Sequence, residues 1–419
     1  MATLAGAGAR SGGRPRRRAL AALCATEIVS YGTLYYAFPV LAGGITASTG
    51  WSRTAITAAF SAGNVAGALA GVAAGRVLDR RGPRLVMTAG SVLGTAALAG
   101  IAVAPTLAWF IAAWLIAGVA MAGVFYPPAF AALTGWYGPD RVRALTTLTL
   151  AAGFASTIFA PLTAALAGPL SWRGTYLVLA AILGLVTIPA HALALRLPWA
   201  SPARPGHRVT TAGPQMRHIL ASRAFLLLVT SMTLSAFALY AVAVNLVPLL
   251  TGRGLSPTLA AWSLGLGGAG QVAGRLCYRP LLARVGVRSR ATLITGAGGA
   301  CILILAVLPG QAALLTAASV LCGAARGLFT LLEATVVSDH WGPGGYASLN
   351  GVFSAPLTAA TAIAPTVGAA LAALAGGYPA LFLILAGTGA GSAALALASG
   401  PAPKRTAGPL PPARAAPAD

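Results

Sequence analysis

The sequence has very little negative charge. Only 6 of its 419 residues are Asp or Glu, against 28 Lys and Arg, and charged residues make up 8% of the chain. Soluble domains carry roughly 25% charged residues, so this composition excludes an ordinary soluble globular protein. With 57% apolar residues and a mean hydropathy of +0.81, the chain is instead typical of an integral membrane protein.

Cysteine and histidine are also scarce, and their spacing excludes a metal or redox centre. Four cysteines (Cys24, Cys277, Cys301 and Cys322) and four histidines (His191, His207, His218 and His340) occur singly, without CxxC or Cys/His spacing. The chain has no P-loop, which argues against an ATP-driven pump. We therefore expect no cofactor and no catalytic constellation.

Long apolar segments divide the chain into membrane spans. A spanning helix needs about 20 predominantly apolar residues, because in lipid its backbone amides must bond within the segment. Such segments, numbered spans 1 to 12, lie at 19–43, 53–78, 84–104, 107–132, 144–167, 174–195, 224–249, 257–278, 290–309, 312–337, 347–373 and 380–398. We predict an all-α membrane protein with twelve transmembrane helices.

The positive charges fall on alternate loops. Almost all arginines lie in the amino-terminal arm, in the carboxy-terminal tail or after spans 2, 4, 6 and 8, where we include Arg275. The opposite loops hold only Arg53, Arg173 and Arg253. The positive-inside rule predicts that both termini are cytoplasmic. Since topology explains the basicity, we expect a lipid bilayer, and no nucleic acid, as the partner of these charges.

The chain repeats itself at a spacing of 204 residues. Matching residues include Tyr36 and Tyr240, Gly50 and Gly254, Ser52 and Ser256, Gly82 and Gly286, Arg84 and Arg288, and Gly123 and Gly327. A duplication of this kind predicts two pseudo-symmetric six-helix bundles. The expected organisation is an arm (1–18), a bundle (19–196), a cytoplasmic linker (197–223), a second bundle (224–398) and a tail (399–419).

The turn between spans 2 and 3 concentrates charge in the stretch GRVLDRRGPRLVM, residues 75–87. We expect Gly75 and Gly82 to serve a tight turn and Pro83 to begin span 3. Together with the six-plus-six pattern, this stretch resembles the signature G-x-L-A-D-R-x-G-R-[RK]-x-x-L of the major facilitator superfamily. The matching residues are Gly75, Asp79, Arg80, Gly82 and Arg84. A degraded copy in the second half has Tyr278 where the acid would be.

The resemblance implies a gating role for this turn. Asp79 would meet the start of span 11, near Ala347 and Ser348, where the helix dipole is positive. That contact would hold the two halves together in one state of the transport cycle. The alternative is that Asp79, Arg80 and Arg84 only fix the topology.

Three charges lie inside predicted spans: Glu27, Arg326 and Glu333. Each costs about 2.5–3.5 kcal/mol to insert, which favours a partner or a wet cavity. The resemblance implies that spans 1, 4, 7 and 10 line a central cavity. The candidate site residues on them are Glu27, Tyr31 and Tyr35 (span 1), Tyr126 (span 4), Ser231, Ser235 and Asn245 (span 7), and Arg326, Thr330 and Glu333 (span 10). In the alternative interpretation, Arg326 and Glu333 form a structural pair, with Glu27 joining them across the bundle.

These features predict a secondary transporter with alternating access. Stretches such as YYAFPVL, GWSRT and NLVPLLTGRGLSPTLAA resemble the bacterial branch of oxalate–formate and monocarboxylate porters. That resemblance implies a small organic anion bound by Arg326 and a glutamate that accepts a proton. Glu27 is the preferred carrier, since no arginine shares its helical face. The first-span lysine and the span 8 Asp/Arg pair of those carriers are absent.

Other functions stay open. A drug or metalloid/proton antiporter of the same superfamily is the main alternative, although span 4 lacks the arginine and span 5 the glycine-rich motif of those proteins. A membrane sensor would be expected to carry a large cytoplasmic domain, whereas the longest predicted segment between spans is the linker 197–223. A membrane enzyme would need a nucleophile, base or metal cluster, and the sequence predicts none. We expect a monomer in the cell membrane that handles a small molecule and protons.

Overall fold

All regular structure in the computed structural model, which describes residues 13–199, 214–341 and 346–400, is helical. We number the helices α1 to α12 to match the predicted spans. Their bounds are α1, Gly13–Tyr31, a π-turn Gly32–Tyr36 and Ala37–Thr49; α2, Arg53–Arg81; α3, Pro83–Ala102; α4, Leu107–Val124 and Tyr126–Tyr137; α5, Arg141–Ala152 and the part of Ala155–Ala194 before a break at Ser171; α6, the rest of that helix; α7, Arg223–Gly252; α8, Pro257–Arg284; α9, Val287–Val307; α10, Ala312–Trp341; α11, Tyr346–Leu374; and α12, Tyr378–Ala398.

The predicted all-α membrane class is confirmed. In the part of the chain that the structure describes, nine helical stretches are long and apolar enough to cross a membrane, or ten if the bent helix α2 is included. One stretch, Arg143–Ala194, holds both α5 and α6. Helix α8, which is rich in glycine and carries Gln271 and Arg275, is not among them. The count of twelve spans therefore stays a prediction.

The repeat at 204 residues extends to the helix caps. Gly50 and Gly254 both have positive φ, 73° and 90°, at the ends of α1 and α7. Ser52 and Ser256 both cap the next helix by accepting a hydrogen bond from the backbone amide three residues later. Equivalent turns thus begin equivalent helices in the two halves.

Within each half, two helices meet backbone to backbone. An alanine Cβ at Gly118 of α4 would lie 1.8 Å from the carbonyl oxygen of Gly63 in α2. In the second half, a Cβ at Gly323 of α10 would lie 1.9 Å from the carbonyl oxygen of Gly267 in α8. Only glycine allows this approach, which is the kind of contact that small residues provide in membrane helix pairs.

The two halves contact each other toward one end of the molecule. We call this the arginine-poor end; it contains the turns 50–52, 103–106, 253–256, 308–311 and 375–377. There α2 packs against α11, α5 against α8, and α1 against α7. Thr366 of α11 donates its hydroxyl to the Thr57 carbonyl and its amide to the Ser61 hydroxyl of α2, at 3.0 and 3.2 Å. Thr157 of α5 donates to the Gly265 carbonyl of α8 at 2.8 Å.

The opposite, arginine-rich end contains the charged turn around Gly82. Gly82 has φ 80° and Pro83 begins α3, as predicted. Gly75, however, lies inside α2 and not in the turn, because the helix continues to Arg81. Helix α2 bends by 44° between Gly71 and Ala73.

Parts of the predicted arm and linker are helical. Residues 13–18, which we assigned to the arm, form the first turns of α1. The linker contains a short helix, Pro214–Ala221, directly before α7. The rest of the arm, linker residues 200–213 and tail residues 401–419 lie outside the described part of the chain.

Candidate functional site

A cavity of about 430 Å³ lies between the two halves, on the arginine-rich side of their contacts. Helices α1, α2, α4, α5, α7, α8, α10 and α11 all contribute to it. Its aromatic lining consists of Tyr31, Tyr35, Tyr36, Phe125, Tyr126 and Tyr240. Its polar lining consists of Asn64, Gln271, Arg275, Thr330, Thr358 and Thr361. Of the candidate residues on spans 1, 4 and 10, the structure brings Tyr31, Tyr35, Tyr126 and Thr330 together here.

The π-turn in α1 explains why three of its tyrosines line the cavity. Regular helical spacing predicts Tyr31 and Tyr35 on one face but turns Tyr36 away by about 100°. The wider turn at Gly32–Tyr36 lets Tyr35 and Tyr36 both line the cavity, and such turns occur often at functional sites. Spacing therefore missed Tyr36. The repeat was the available signal, because Tyr36 and its partner Tyr240 both line the cavity.

Arg326 lies immediately behind the cavity wall. Its side chain is only 7% exposed. One guanidinium nitrogen donates to Gln271 Oε1 at 3.0 Å and to the Tyr36 hydroxyl at 3.4 Å, and both acceptor residues line the cavity. Its Nε has no partner among the residues that the structure describes. Arg326 thus supports two lining side chains from behind.

Arg275 lines the cavity directly, which corrects its assignment to a cytoplasmic loop. It lies on α8, one turn after Gln271, and is 8% exposed. Its guanidinium donates to the Thr330 hydroxyl at 3.4 Å and to the Thr149 carbonyl on α5, across the interface between the halves. Sequence reasoning missed it because a cation near the end of a span looks like topology. The Gln271/Arg275 pair at helical spacing was the signal.

The two intramembrane glutamates lie beside the cavity and do not line it. Glu27 is completely buried, and neither of its carboxylate oxygens has a hydrogen-bond partner within the described ranges. It lies close to Tyr31 and Tyr126, two side chains that line the cavity. Glu333 is half-buried near Tyr240.

The alternative structural pairing of these charges is not formed in this conformation. The one salt bridge found among the described residues joins Arg290 and Asp339. Neither Glu333 nor Glu27 is bonded to Arg326, whose polar partners are Gln271 and Tyr36. The roles of the two glutamates therefore remain predictions.

The candidates on α7 do not reach the cavity. Ser231 is buried against α12, where its hydroxyl bonds to Ser392. Asn245 donates to the carbonyl one turn earlier at 2.9 Å and packs against Gly368 of α11. Ser235 is 2% exposed and is not part of the lining. The polar face of α7 is therefore used for packing between helices, and our placement of these three residues in the cavity was wrong for this conformation.

The charged turn is held from the linker side. Trp199 donates its indole N–H to the Asp79 carbonyl at 3.2 Å and packs against Gly82. Arg84 donates to the Ala192 carbonyl at 2.9 Å, near the end of α6, while Arg80 is exposed. The side chains of Ala347 and Ser348, the expected partners of Asp79, lie outside the described part of the chain.

The electrostatic character of the cavity follows from this arrangement. Arg275 lines it, Arg326 stands directly behind it, and no Asp or Glu is among the lining residues that the structure describes. The tyrosine hydroxyls supply further donors, whereas the hydroxyls of Thr330, Thr358 and Thr361 donate to carbonyls of their own helices. The arrangement suits an anionic ligand that also has apolar surface.

Comparison with known proteins agrees with the fold. A family model described as Major Facilitator Superfamily matches residues 23–315 and 234–419. A mutant of the nucleoside transporter NupG is 14% identical, with 91% of this chain and 99% of that chain covered and a TM-score of 0.73. A bacterial homologue of the human lysosomal transporter Spinster, inward-facing and unoccupied, is 17% identical, with 92% and 94% covered and a TM-score of 0.70. No curated protein sequence matches the chain.

Proposed function

The chain belongs to the major facilitator superfamily, and we propose that it is a proton-coupled secondary transporter for a small organic anion such as a monocarboxylate. We further propose that it works as a monomer in the cell membrane, with both termini in the cytoplasm. The observation that carries the substrate class is the pair of arginines at the cavity, Arg275 and Arg326, with no acidic residue in the described lining. Arginine keeps its charge in proteins and can hold a carboxylate with two parallel hydrogen bonds.

The contacts between the halves support alternating access. They close the arginine-poor end through Thr57, Ser61 and Thr366, while the cavity lies on the other side of these contacts. If the arginine-rich end is cytoplasmic, as the positive-inside rule predicts, the site is closed toward the outside in this state. Rocking of the two halves about the cavity would then expose the same site to the outside.

Proton coupling is the second part of the proposal, with Glu27 as the carrier. A carboxylate without a hydrogen-bond partner is costly to bury in its charged form, so its ionisation must change when its surroundings change. Tyr31 and Tyr126, which line the cavity, lie close to Glu27. Movement of α1 against α4 would therefore couple the ionisation of Glu27 to the occupancy of the cavity.

A drug or metalloid/proton antiporter is the second candidate. The observation that favours it is the aromatic lining, since five tyrosines and Phe125 offer extended apolar surface to a hydrophobic compound. Under this alternative, neutral or cationic hydrophobic compounds would be transported in preference to carboxylates.

Transport by the purified protein in proteoliposomes tests the proposal. Labelled carboxylates, a neutral nucleoside and a lipophilic cation are supplied with and without a pH gradient. We expect carboxylate accumulation that follows the gradient. Uptake of the nucleoside or the cation without any carboxylate would contradict the anion site.

The conservative variant Arg326→Lys tests the role of the guanidinium. It keeps the charge but loses the planar fork, so we expect the apparent KM for a carboxylate to rise about tenfold, as for the loss of one charged hydrogen bond. Arg326→Gln should be worse. If the double variant Arg326→Gln, Glu333→Gln restores both folding and transport, Arg326 is a structural partner of Glu333 and not part of the anion site.

A further inference from the structure

The cavity has two chemically different walls. Helices α1 and α4 of the amino-terminal half contribute most of the aromatic side chains, including Tyr31 and Tyr126. Helices α8 and α10 of the carboxy-terminal half contribute Gln271, Arg275 and Thr330. A ligand that fills the cavity must therefore present apolar surface to one half and an anionic group to the other.

The aromatic wall is a packed cluster and not a set of independent rings. Tyr31 stacks on Phe125 with ring centres 3.9 Å apart and planes 9° apart. Tyr31 also contacts Tyr126, with ring centres 4.9 Å apart. Rings held in this way are preorganised, and aromatic pairs contribute about 0.5–1.5 kcal/mol beyond their buried area. The wall is thus suited to receive another flat ring.

The volume of the cavity also favours a ligand with a ring. A carboxylate of three or four heavy atoms occupies the space of a few water molecules, roughly 30 Å³ each. It would leave most of a cavity of about 430 Å³ unfilled. The cavity therefore has room for a larger apolar body against the aromatic wall.

From these walls we propose that the substrate is a carboxylate that carries an aromatic ring. Its carboxylate lies against Arg275, within reach of the Thr330 hydroxyl, and its ring lies against Tyr31 and Phe125. This inference rests on the proposed transport of organic anions and narrows its substrate class. The polar wall sets the charge of the ligand, and the aromatic wall sets its shape.

Binding to the purified protein in detergent tests this without interference from passive permeation. The probes are benzoate and 3-phenylpropionate, the ring-free acetate and oxalate, the flexible apolar octanoate, and the neutral benzyl alcohol. We expect the ring-bearing carboxylates to bind at least about tenfold more tightly than all the others, which corresponds to about 1.4 kcal/mol.

The outcomes separate this inference from the function on which it rests. If acetate, oxalate or octanoate binds as tightly as benzoate, the proposed aromatic substrate class is wrong, but the proposed anion site is still supported. If benzyl alcohol binds as tightly as benzoate, the ring is recognised but the anion site is wrong. If none of the carboxylates binds, both are wrong.

A pair of substitutions at one position tests the wall itself. Tyr31→Phe keeps the ring and should leave the ratio of benzoate to acetate affinity unchanged, whereas Tyr31→Leu should lower that ratio about tenfold. Tyr378→Leu, at the arginine-poor end, is the matched control outside the cavity. If Tyr31→Leu does not fold, Phe125→Leu, at the other ring of the same stack, provides the comparison. An unchanged ratio in the folded leucine variant would overturn the inference.

Discussion

Gly67 and Gly71 of α2 occupy the positions, 204 residues earlier, of Gln271 and Arg275 in α8. All four line the cavity. At Gly71 the first half leaves open space where the second half places a guanidinium, and at Gly67 its backbone packs against Gly118 of α4 where the second half places an amide. Elsewhere the halves are alike: they share capping serines, positive-φ glycines and glycine contacts between helices. The duplicated sequence has kept what builds each bundle, together with the Tyr36/Tyr240 pair in the lining, and has diverged at these two lining positions.

The largest expected effect comes from removing the charge that distinguishes the cavity lining of the second half from that of the first. Arg275→Gln removes the lining cation, and we expect carboxylate uptake to fall about tenfold to a hundredfold, since a hydrogen bond to a charged group contributes about 1.5–3 kcal/mol. The measurement is initial uptake rate against substrate concentration in proteoliposomes. Arg284→Gln, at an exposed position near the end of the same helix, is the control. If Arg275→Gln takes up the carboxylate as fast as the control, the charged residue of the second half is not what selects anions.

The next comparison is between Glu27 and its repeat partner Ser231. The carboxyl group of Glu27 is buried without a partner in the described part of the chain, whereas Ser231 bonds to Ser392. We expect Glu27→Gln to abolish accumulation driven by a pH gradient but to retain counterflow, because exchange of substrate for substrate needs no net proton movement. Both assays use the same proteoliposomes.

Two further variants complete that test. Ser231→Ala should retain both accumulation and counterflow, and Glu333→Gln should impair both. Accumulation by Glu27→Gln that still follows the imposed gradient would show that Glu27 is not the proton carrier and would make Glu333 the remaining candidate.

We expect alanine substitutions at the glycine contacts to destabilise the two halves equally. Gly118→Ala and Gly323→Ala each bring a Cβ within 2 Å of a backbone carbonyl, so the helices must separate, at a cost of about 1–3 kcal/mol in unfolding free energy. Thermal unfolding in detergent measures the loss. Gly387→Ala on α12, where a Cβ meets nothing within 4 Å, should leave the midpoint unchanged. A loss in only one half would show that the bundles are less alike than their glycines indicate.

The smallest expected effect is at the charged turn. In the second half, the acidic side chain of Asp339 forms a salt bridge with Arg290 of the same bundle. In the first half, Asp79 is expected to act between the two bundles. Asp79→Asn should lower turnover by about two- to fivefold, the size of a charge–dipole contact, with membrane insertion and substrate affinity intact. Initial rates and binding on the same preparation measure this. Normal turnover would leave the turn with a topological role alone.

The sequence predicted the all-helical class and the 204-residue repeat because these depend on local patterns. Hydropathy, Ser52 with Ser256, and Gly50 with Gly254 can all be recognised without knowledge of tertiary contacts. Three of the cavity residues, Tyr31, Tyr35 and Thr330, followed from helical spacing for the same reason, and Tyr126 followed as the repeat partner of Thr330.

The wrong predictions concern residues whose surroundings are determined by tertiary contacts. A polar stripe does not reveal whether it meets a cavity or another helix, so Ser231 was placed wrongly. A π-turn changes the register of α1 by one residue, which hid Tyr36. Arg275 lies near the end of a span, where a cation that fixes topology and one that faces a cavity look alike in sequence.

The close contacts of α2 with α4 and of α8 with α10 restrict how the molecule changes shape. Helices whose backbones touch at Gly63 and Gly118, or at Gly267 and Gly323, cannot slide past each other by a fraction of a turn without steric overlap. We therefore expect each pair to move as a rigid body in the proposed transport cycle. The deformation must be absorbed at hinges, and the structure offers three on the path of the chain: the 44° bend after Gly71, the interruption of α5 at Gly153 and the left-handed Ser171.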